Sequence, residues 1–300
     1  MNRAHRAGRA WLLPILILAG GVLFSPRLMA QAPGPEVCKL CHEERYASYS
    51  LTRHSMKADA RTPAAKGGCV TCHGDGTEHV KAGGGRGVGG IKNPGSKTMP
   101  SDEKNGICLT CHEGGKRMEW SLSLHATRDT ACTSCHQVHN SHDPVRDKVT
   151  QSEVCFTCHK EQRAQINRPF RHPIPEGKVV CSDCHNPHGS AGPKLMVRDT
   201  VNDTCYQCHT EKRGPFVRNH QPVTEDCSIC HNPHGTTLPA LLKVRIPFLC
   251  QSCHEPSGHP RLTPGSFPSI FLARGCTNCH TQIHGSNNPD SARNTRVFQR

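Results

Sequence analysis

All twenty cysteines of this 300-residue chain fall in Cys-x-x-Cys pairs, and each pair is followed at once by histidine. The pairs are Cys38/Cys41, Cys69/Cys72, Cys108/Cys111, Cys132/Cys135, Cys155/Cys158, Cys181/Cys184, Cys205/Cys208, Cys227/Cys230, Cys250/Cys253 and Cys276/Cys279. The histidines that close them are His42, His73, His112, His136, His159, His185, His209, His231, His254 and His280. Two thiols at this spacing can add to the two vinyl groups of one haem. The adjacent histidine then lies beneath the iron as its proximal ligand, so the pattern is the c-type haem attachment signature. A zinc ribbon pairs two such knuckles and has no use for an invariable following histidine. The expectation is ten covalent c-type haems, with no cysteine left for a disulfide.

The chain has 22 histidines; ten close motifs and His5 lies in the N-terminal segment, which leaves eleven. One falls between the two motifs of each successive pair: His54, His125, His172, His220 and His259. After each even-numbered motif comes another: His79, then His139 with His142, then His188, His234 and His284. Two spare imidazoles for every two irons point to distal ligation by His54, His79, His125, His139, His172, His188, His220, His234, His259 and His284. His188 and His234 stand only three residues past a proximal histidine, too close to reach the opposite face of the same haem. They should serve a neighbouring haem and lace the array together. His139 has the same offset from His136 and is preferred to His142, which stays open as the alternative.

The elements that must position these ligands are weakly marked. Leu, Ile, Val and Phe number 53, ten of them in the first 30 residues, which leaves 43 in 270. That is about 16%, a level at which a charged chain reads as disordered unless something else supplies its interior. The haems would be that core. With 23 prolines and 27 glycines, the expected fold is mostly irregular with short α-helices, an elongated multihaem cytochrome wrapped around a row of ten haems. Short helices are expected after Cys155 and Cys205. The period is a pair of motifs, giving five dihaem repeats at about 31–98, 99–148, 149–198, 199–243 and 244–288, then a mobile polar tail, 289–300. The segment around Gly85, Gly87 and Gly90 satisfies GxGxxG, but has no strand before it and reads as a flexible surface loop. Met56, Met99, Met118 and Met196 read as haem-packing residues. The formal charge of +13 has haem propionates as nearby targets and needs no nucleic acid.

Residues 1–30 read as a secretory signal peptide. Arg3, His5, Arg6 and Arg9 precede an apolar run from Trp11 to Phe24, too short for a membrane span, and cleavage is expected after Ala30. The remaining 31–300 would be an exported decahaem cytochrome domain with no transmembrane helix.

Ten such motifs at this length, together with CSICHNPHG preceded by PVTED and a closing CTNCHTQIHGSN, resemble the periplasmic decahaem c-type cytochromes of the MtrA/DmsE-like family and its iron-oxidation relatives. The resemblance implies a bis-histidine electron carrier, periplasmic and associated with the outer membrane, that passes electrons to or from the cell exterior through an outer-membrane β-barrel protein. Periplasmic or inner-membrane cytochromes, and an outer-surface cytochrome or terminal reductase, would be its redox partners. A soluble periplasmic shuttle is the alternative. A multihaem oxidoreductase of nitrogen or sulfur compounds is disfavoured by the ligand supply, since all ten motifs end in histidine and eleven further histidines cover ten irons.

Overall fold

The computed structural model describes residues 32–255, 275–288 and 298. The expected signal segment, His259 and the tail apart from Phe298 lie outside the described residues. Among those described, the chain is mostly irregular, broken into short α-helices, the longest Ser101–Leu109, and single 3-10 turns. Its only β-pairing is a set of isolated bridges. None of these helices is long and apolar enough to cross a membrane.

Each Cys-x-x-Cys-His stretch closes one helical turn. In all ten, the histidine N–H donates to the carbonyl of the first cysteine at 2.9–3.1 Å, which brings both thiols and the ring onto one turn. The odd-numbered motifs end or continue short helices: Pro35–Lys39, Ser101–Leu109, Gln151–Phe156, Val201–Cys205 and Phe248–Gln251. Local chemistry starts these helices. Pro35 occupies the first turn, Asp102 and Glu103 face the positive end of theirs, and the Thr200 hydroxyl accepts from the Asp203 N–H at 3.0 Å. The even-numbered motifs sit on isolated turns such as Cys132–Ser134 and Cys227–Ile229. A helix does follow Cys155, at Lys160–Ile166. After Cys205 there is only the 3-10 turn Thr210–Lys212, because Gly214 (φ 82°) and Pro215 cannot extend it.

Buried amides join the two motifs of a pair. The Asn105 Oδ1 accepts from the Cys132 N–H, and the Asn202 Oδ1 from the Cys227 N–H, each at 2.7 Å. Gln151 Oε1 does the same for Ser182 at 3.0 Å. All three side chains are buried. Apolar packing is slight by comparison: Phe156, Ile166 and Ile174 cluster with Val179, while Leu40, Met118 and Leu122 stay exposed. A cluster this small offsets only a minor part of the entropy of ordering such a chain.

Candidate functional site

The thiols of successive motifs meet in chain order. Within each pair of motifs the first cysteines are neighbours: Cys38 with Cys69, Cys108 with Cys132, Cys155 with Cys181, Cys205 with Cys227 and Cys250 with Cys276. The second cysteine of an even-numbered motif then neighbours the following motif, as Cys72 does Cys111, Cys135 does Cys158, Cys184 does Cys208 and Cys230 does Cys253.

In six of the ten motifs the two thiols differ in exposure, while Cys72, Cys135, Cys184 and Cys230 are half-buried like the first thiols of their motifs. The first cysteines are half-buried, whereas Cys41, Cys111, Cys253 and Cys279 are exposed, as are Cys158 and Cys208. The hydroxyls of Thr110, Thr157 and Ser252 lie 3.9, 3.8 and 3.8 Å from the sulfurs of Cys111, Cys158 and Cys253.

Among the described residues no three His, Cys, Asp or Glu side chains converge on a common metal-ion position. The histidines face each other in twos instead. Nine such pairs occur among the described residues. His42 faces His79, His73 faces His139, His112 faces His54, His136 faces His188 and His159 faces His125. His185 faces His234, His209 faces His172, His231 faces His284 and His254 faces His220. Ring centroids are 5.9–6.3 Å apart in all nine. A metal–imidazole bond of about 2 Å puts each ring centre roughly 3 Å from the metal, so two rings sharing one iron should stand about 6 Å apart. The residues present therefore fit a haem iron held between a motif histidine and a second histidine. His259 lies outside the described residues, and His280 has contacts of its own. His142 is placed differently from His139: its Nε2 lies 3.0 Å from Asp147 Oδ2.

Eight of the nine pairs join residues from adjacent motif pairs, two at each of four junctions; only His42 and His79 come from the same one. Local backbone explains the meeting. Phe170 and Thr236 exchange backbone hydrogen bonds at 3.2 and 2.8 Å, and Arg218 and Ser286 do so at 2.9 Å. These bridges sit two residues before His172 and His220 and two after His234 and His284. The His172 Nδ1 then donates to the Pro233 carbonyl at 2.7 Å, and the His125 Nδ1 to the Pro187 carbonyl at 2.9 Å. His220 faces the Ile283 backbone outside good hydrogen-bonding geometry, and its buried Nδ1 is left without a partner.

The motif histidines are oriented in the same way. His73 donates from Nδ1 to the Lys92 carbonyl (2.8 Å), His185 to Lys194 (3.0 Å) and His231 to Ala240 (2.7 Å). A carbonyl can only accept, so these partners fix the proton on Nδ1 and leave the Nε2 lone pair free for a metal. Lys194 and Ala240 have φ of 54°, with Leu195 and Leu241 at 58°. Four non-glycine residues in the left-handed region are held there where their turns present these carbonyls to the histidines. Burial lowers the pKa of His54, His139, His185, His220, His234 and His284, and pushes His188 down to about 4 with help from the charges of His136 and Arg117. Neutral imidazole is the form that binds metal.

Several contributors escape a reading of ligand types. The glycine-rich segment is more than a surface loop: the Val88 carbonyl accepts from the His79 Nδ1 at 3.0 Å, and Gly89 (φ 71°) packs so tightly on the His79 backbone that no Cβ would fit. Gly189, Gly235 and Gly285, each just after a spare histidine, have φ of 115–147° and press on Glu119, Gln165 and Phe216 of the preceding motif pair. The recurrent His-Gly-Ser/Thr was the available signal. Phe298, expected in a mobile tail, lies tilted against His220 with ring centroids 5.5 Å apart, and its carbonyl accepts from the Gln282 N–H. Of the methionines, Met196 is buried, whereas Met56 and Met118 are exposed.

Comparison with known proteins agrees with this chemistry. The doubled CXXCH motif family model matches residues 172–214 and 220–259, and the cytochrome c-type protein NrfB-like model matches 69–149. The chain is 42% identical over 267 residues to the multiheme cytochrome MtrA of Shewanella baltica (strain OS185), an alignment covering 85% of this chain and 79% of that protein. With its repeated motifs and facing histidines, the chain belongs to the MtrA family of multihaem c-type cytochromes, whose task is to carry electrons rather than to catalyse a reaction.

Proposed function

We propose that the protein is a periplasmic electron conduit of ten bis-histidine haems, working through an outer-membrane β-barrel. The observation that carries this reading is the exchange of facing histidines between adjacent motif pairs. If each facing pair brackets an iron, every junction is tied by two irons, each covalently attached on one side and ligated from the other. Such an array orders its haems one after another along the chain, and the thiol contacts between successive motifs keep neighbours close. The five repeats are then units that cannot stand alone, because each completes the coordination of its neighbours. Haem would supply the interior that the sparse apolar side chains do not, so the chain should not fold without it. Filling both axial positions of every iron leaves no open coordination site, which suits transfer rather than substrate chemistry. The tenth site would pair His280 with His259.

A row of this number of haems would exceed the roughly 40 to 45 Å of a bilayer with its headgroups. A surface of propionates, lysines and arginines cannot face lipid, so passage across a membrane needs a protein sheath, and a wide β-barrel is the available kind. The direction of flow and the terminal donor or acceptor follow from the partners. The experiment is reconstitution of the holoprotein with its candidate barrel in liposomes enclosing a redox dye. The pair should let an external reductant reach the dye while either protein alone does not. A dye left untouched by the pair, with rapid exchange by the free cytochrome in solution, would assign the protein to the shuttle class.

A further inference from the structure

Four even-numbered motifs can be compared atom for atom, and one differs from the rest. The Nδ1 of His73, His185 and His231 donates to a neutral backbone carbonyl, of Lys92, Lys194 and Ala240 respectively. The Nδ1 of His136 meets the carboxylate of Asp143, 2.7 Å from Oδ2. This carboxylate is held in place. Its Oδ1 accepts from the Gln137 N–H at 3.2 Å, and its side chain is only 17% exposed. Other carboxylates near these rings do not match it: Glu211 Oε1 is 3.9 Å from His209 Nδ1, and Asp147 pairs with the exposed Nε2 of His142.

A carboxylate hydrogen-bonded to the far nitrogen of a ligating imidazole draws the Nδ1 proton towards itself and makes Nε2 a stronger donor. Its negative charge also favours the more positive metal state. Both effects stabilise ferric over ferrous iron. Partial burial of Asp143 keeps solvent from screening the interaction fully. We propose that Asp143 is a positioning residue that sets the haem held by His136 and His188 at a more negative potential than its counterparts on the other even-numbered motifs. The inference rests on the bis-histidine reading of the preceding section. It gives the array a step in potential at the junction of the second and third repeats. Such a step slows passage equally in both directions, and so governs rate rather than direction.

The test is spectroelectrochemical titration of holoprotein carrying Asp143→Asn. That side chain keeps an oxygen to accept from His136 but removes the charge. One haem, about a tenth of the total absorbance change, should move to less negative potential while every haem stays low-spin. Asp147→Asn removes a neighbouring charge that does not touch a motif histidine, and should leave the titration unchanged. An Asp143→Asn titration that overlays the wild type, or an equal shift from Asp147→Asn, overturns the proposal. Should Asp143→Asn fail to take up its haems, the wild type provides the second measurement by electron paramagnetic resonance at poised potentials. A ferric signal with the compressed g-spread of an imidazolate-like ligand should persist to more negative potential than the other low-spin signals, and its absence counts against Asp143. His136→Ala separates the two readings: if it yields no high-spin haem, the ligation itself is wrong, whereas an unshifted but low-spin Asp143→Asn refutes only the role of the carboxylate.

Discussion

Gly189→Ala should detach one axial histidine without touching any ligand. Gly189 follows His188 at φ 115°, and a Cβ there would lie 2.5 Å from the Glu119 carbonyl oxygen and 2.8 Å from its carbon. Ordinary C···O contacts run about 3.3 to 3.6 Å, so one backbone must retreat by roughly 1 Å. A metal–imidazole bond is only about 2 Å long, and a displacement of that size at the next residue would pull His188 out of reach of an iron shared with His136. Positive φ by itself costs an L-residue roughly 1 to 2 kcal/mol, and forcing the two backbones apart should bring the total above about 2 kcal/mol. Gly115→Ala is the control. Its φ is 64° and nothing lies within 4 Å of the added Cβ, so it should show only the conformational cost. Denaturant midpoints and the optical high-spin band are the assays. Gly189→Ala should give one high-spin haem in ten and a larger loss of stability than Gly115→Ala. If the two variants lose the same stability and both remain wholly low-spin, the packing of Gly189 on Glu119 does not position His188.

Three further outcomes are expected. His139→Ala should create one high-spin haem, whereas His142→Ala, whose ring pairs with Asp147, should leave the optical spectrum unchanged. Asn202→Ala removes a buried amide and strips the Cys227 N–H and the Val223 and Thr224 carbonyls of their partner; urea unfolding should show a loss of about 1 to 3 kcal/mol, and no loss would mean the amide does not join the two motifs. Intact mass of the holoprotein should correspond to ten covalent haems, and a thiol reagent should label nothing, even at the exposed positions Cys41, Cys111, Cys253 and Cys279.

Much of the fold follows from chemistry local to the chain. Each Cys-x-x-Cys-His closes its own turn, so ten turns were legible from spacing alone, and the prolines and glycines between them account for the short helices. Spacing did not reveal that the second thiol is exposed in six motifs and half-buried in four, because exposure depends on what the rest of the chain packs against it. The identity of the facing rings was less accessible still. The three-residue offset of His188 from His185 excludes one partner but selects none, because the choice is made by long-range contacts such as the Phe170–Thr236 bridge. The carbonyls that orient His185 and His231 were invisible for a related reason. They come from Lys194 and Ala240 in left-handed conformations that neither residue type favours and that only the surrounding turn imposes. The segment from Gly84 to Gly90 has the composition of a loose loop, yet Gly89 is there because His79 leaves no room for a side chain. Asp143 reads as an ordinary acidic residue beside a proline until its distance from His136 is known.

The central claim is that each motif histidine shares its iron with a second histidine, and electron paramagnetic resonance of the fully oxidised holoprotein tests it most directly. Spin quantification against the haem content should account for ten low-spin ferric centres per chain, with no signal altered by nitrite or hydroxylamine. A stoichiometric high-spin centre that responds to either ligand would show an open iron and contradict the account.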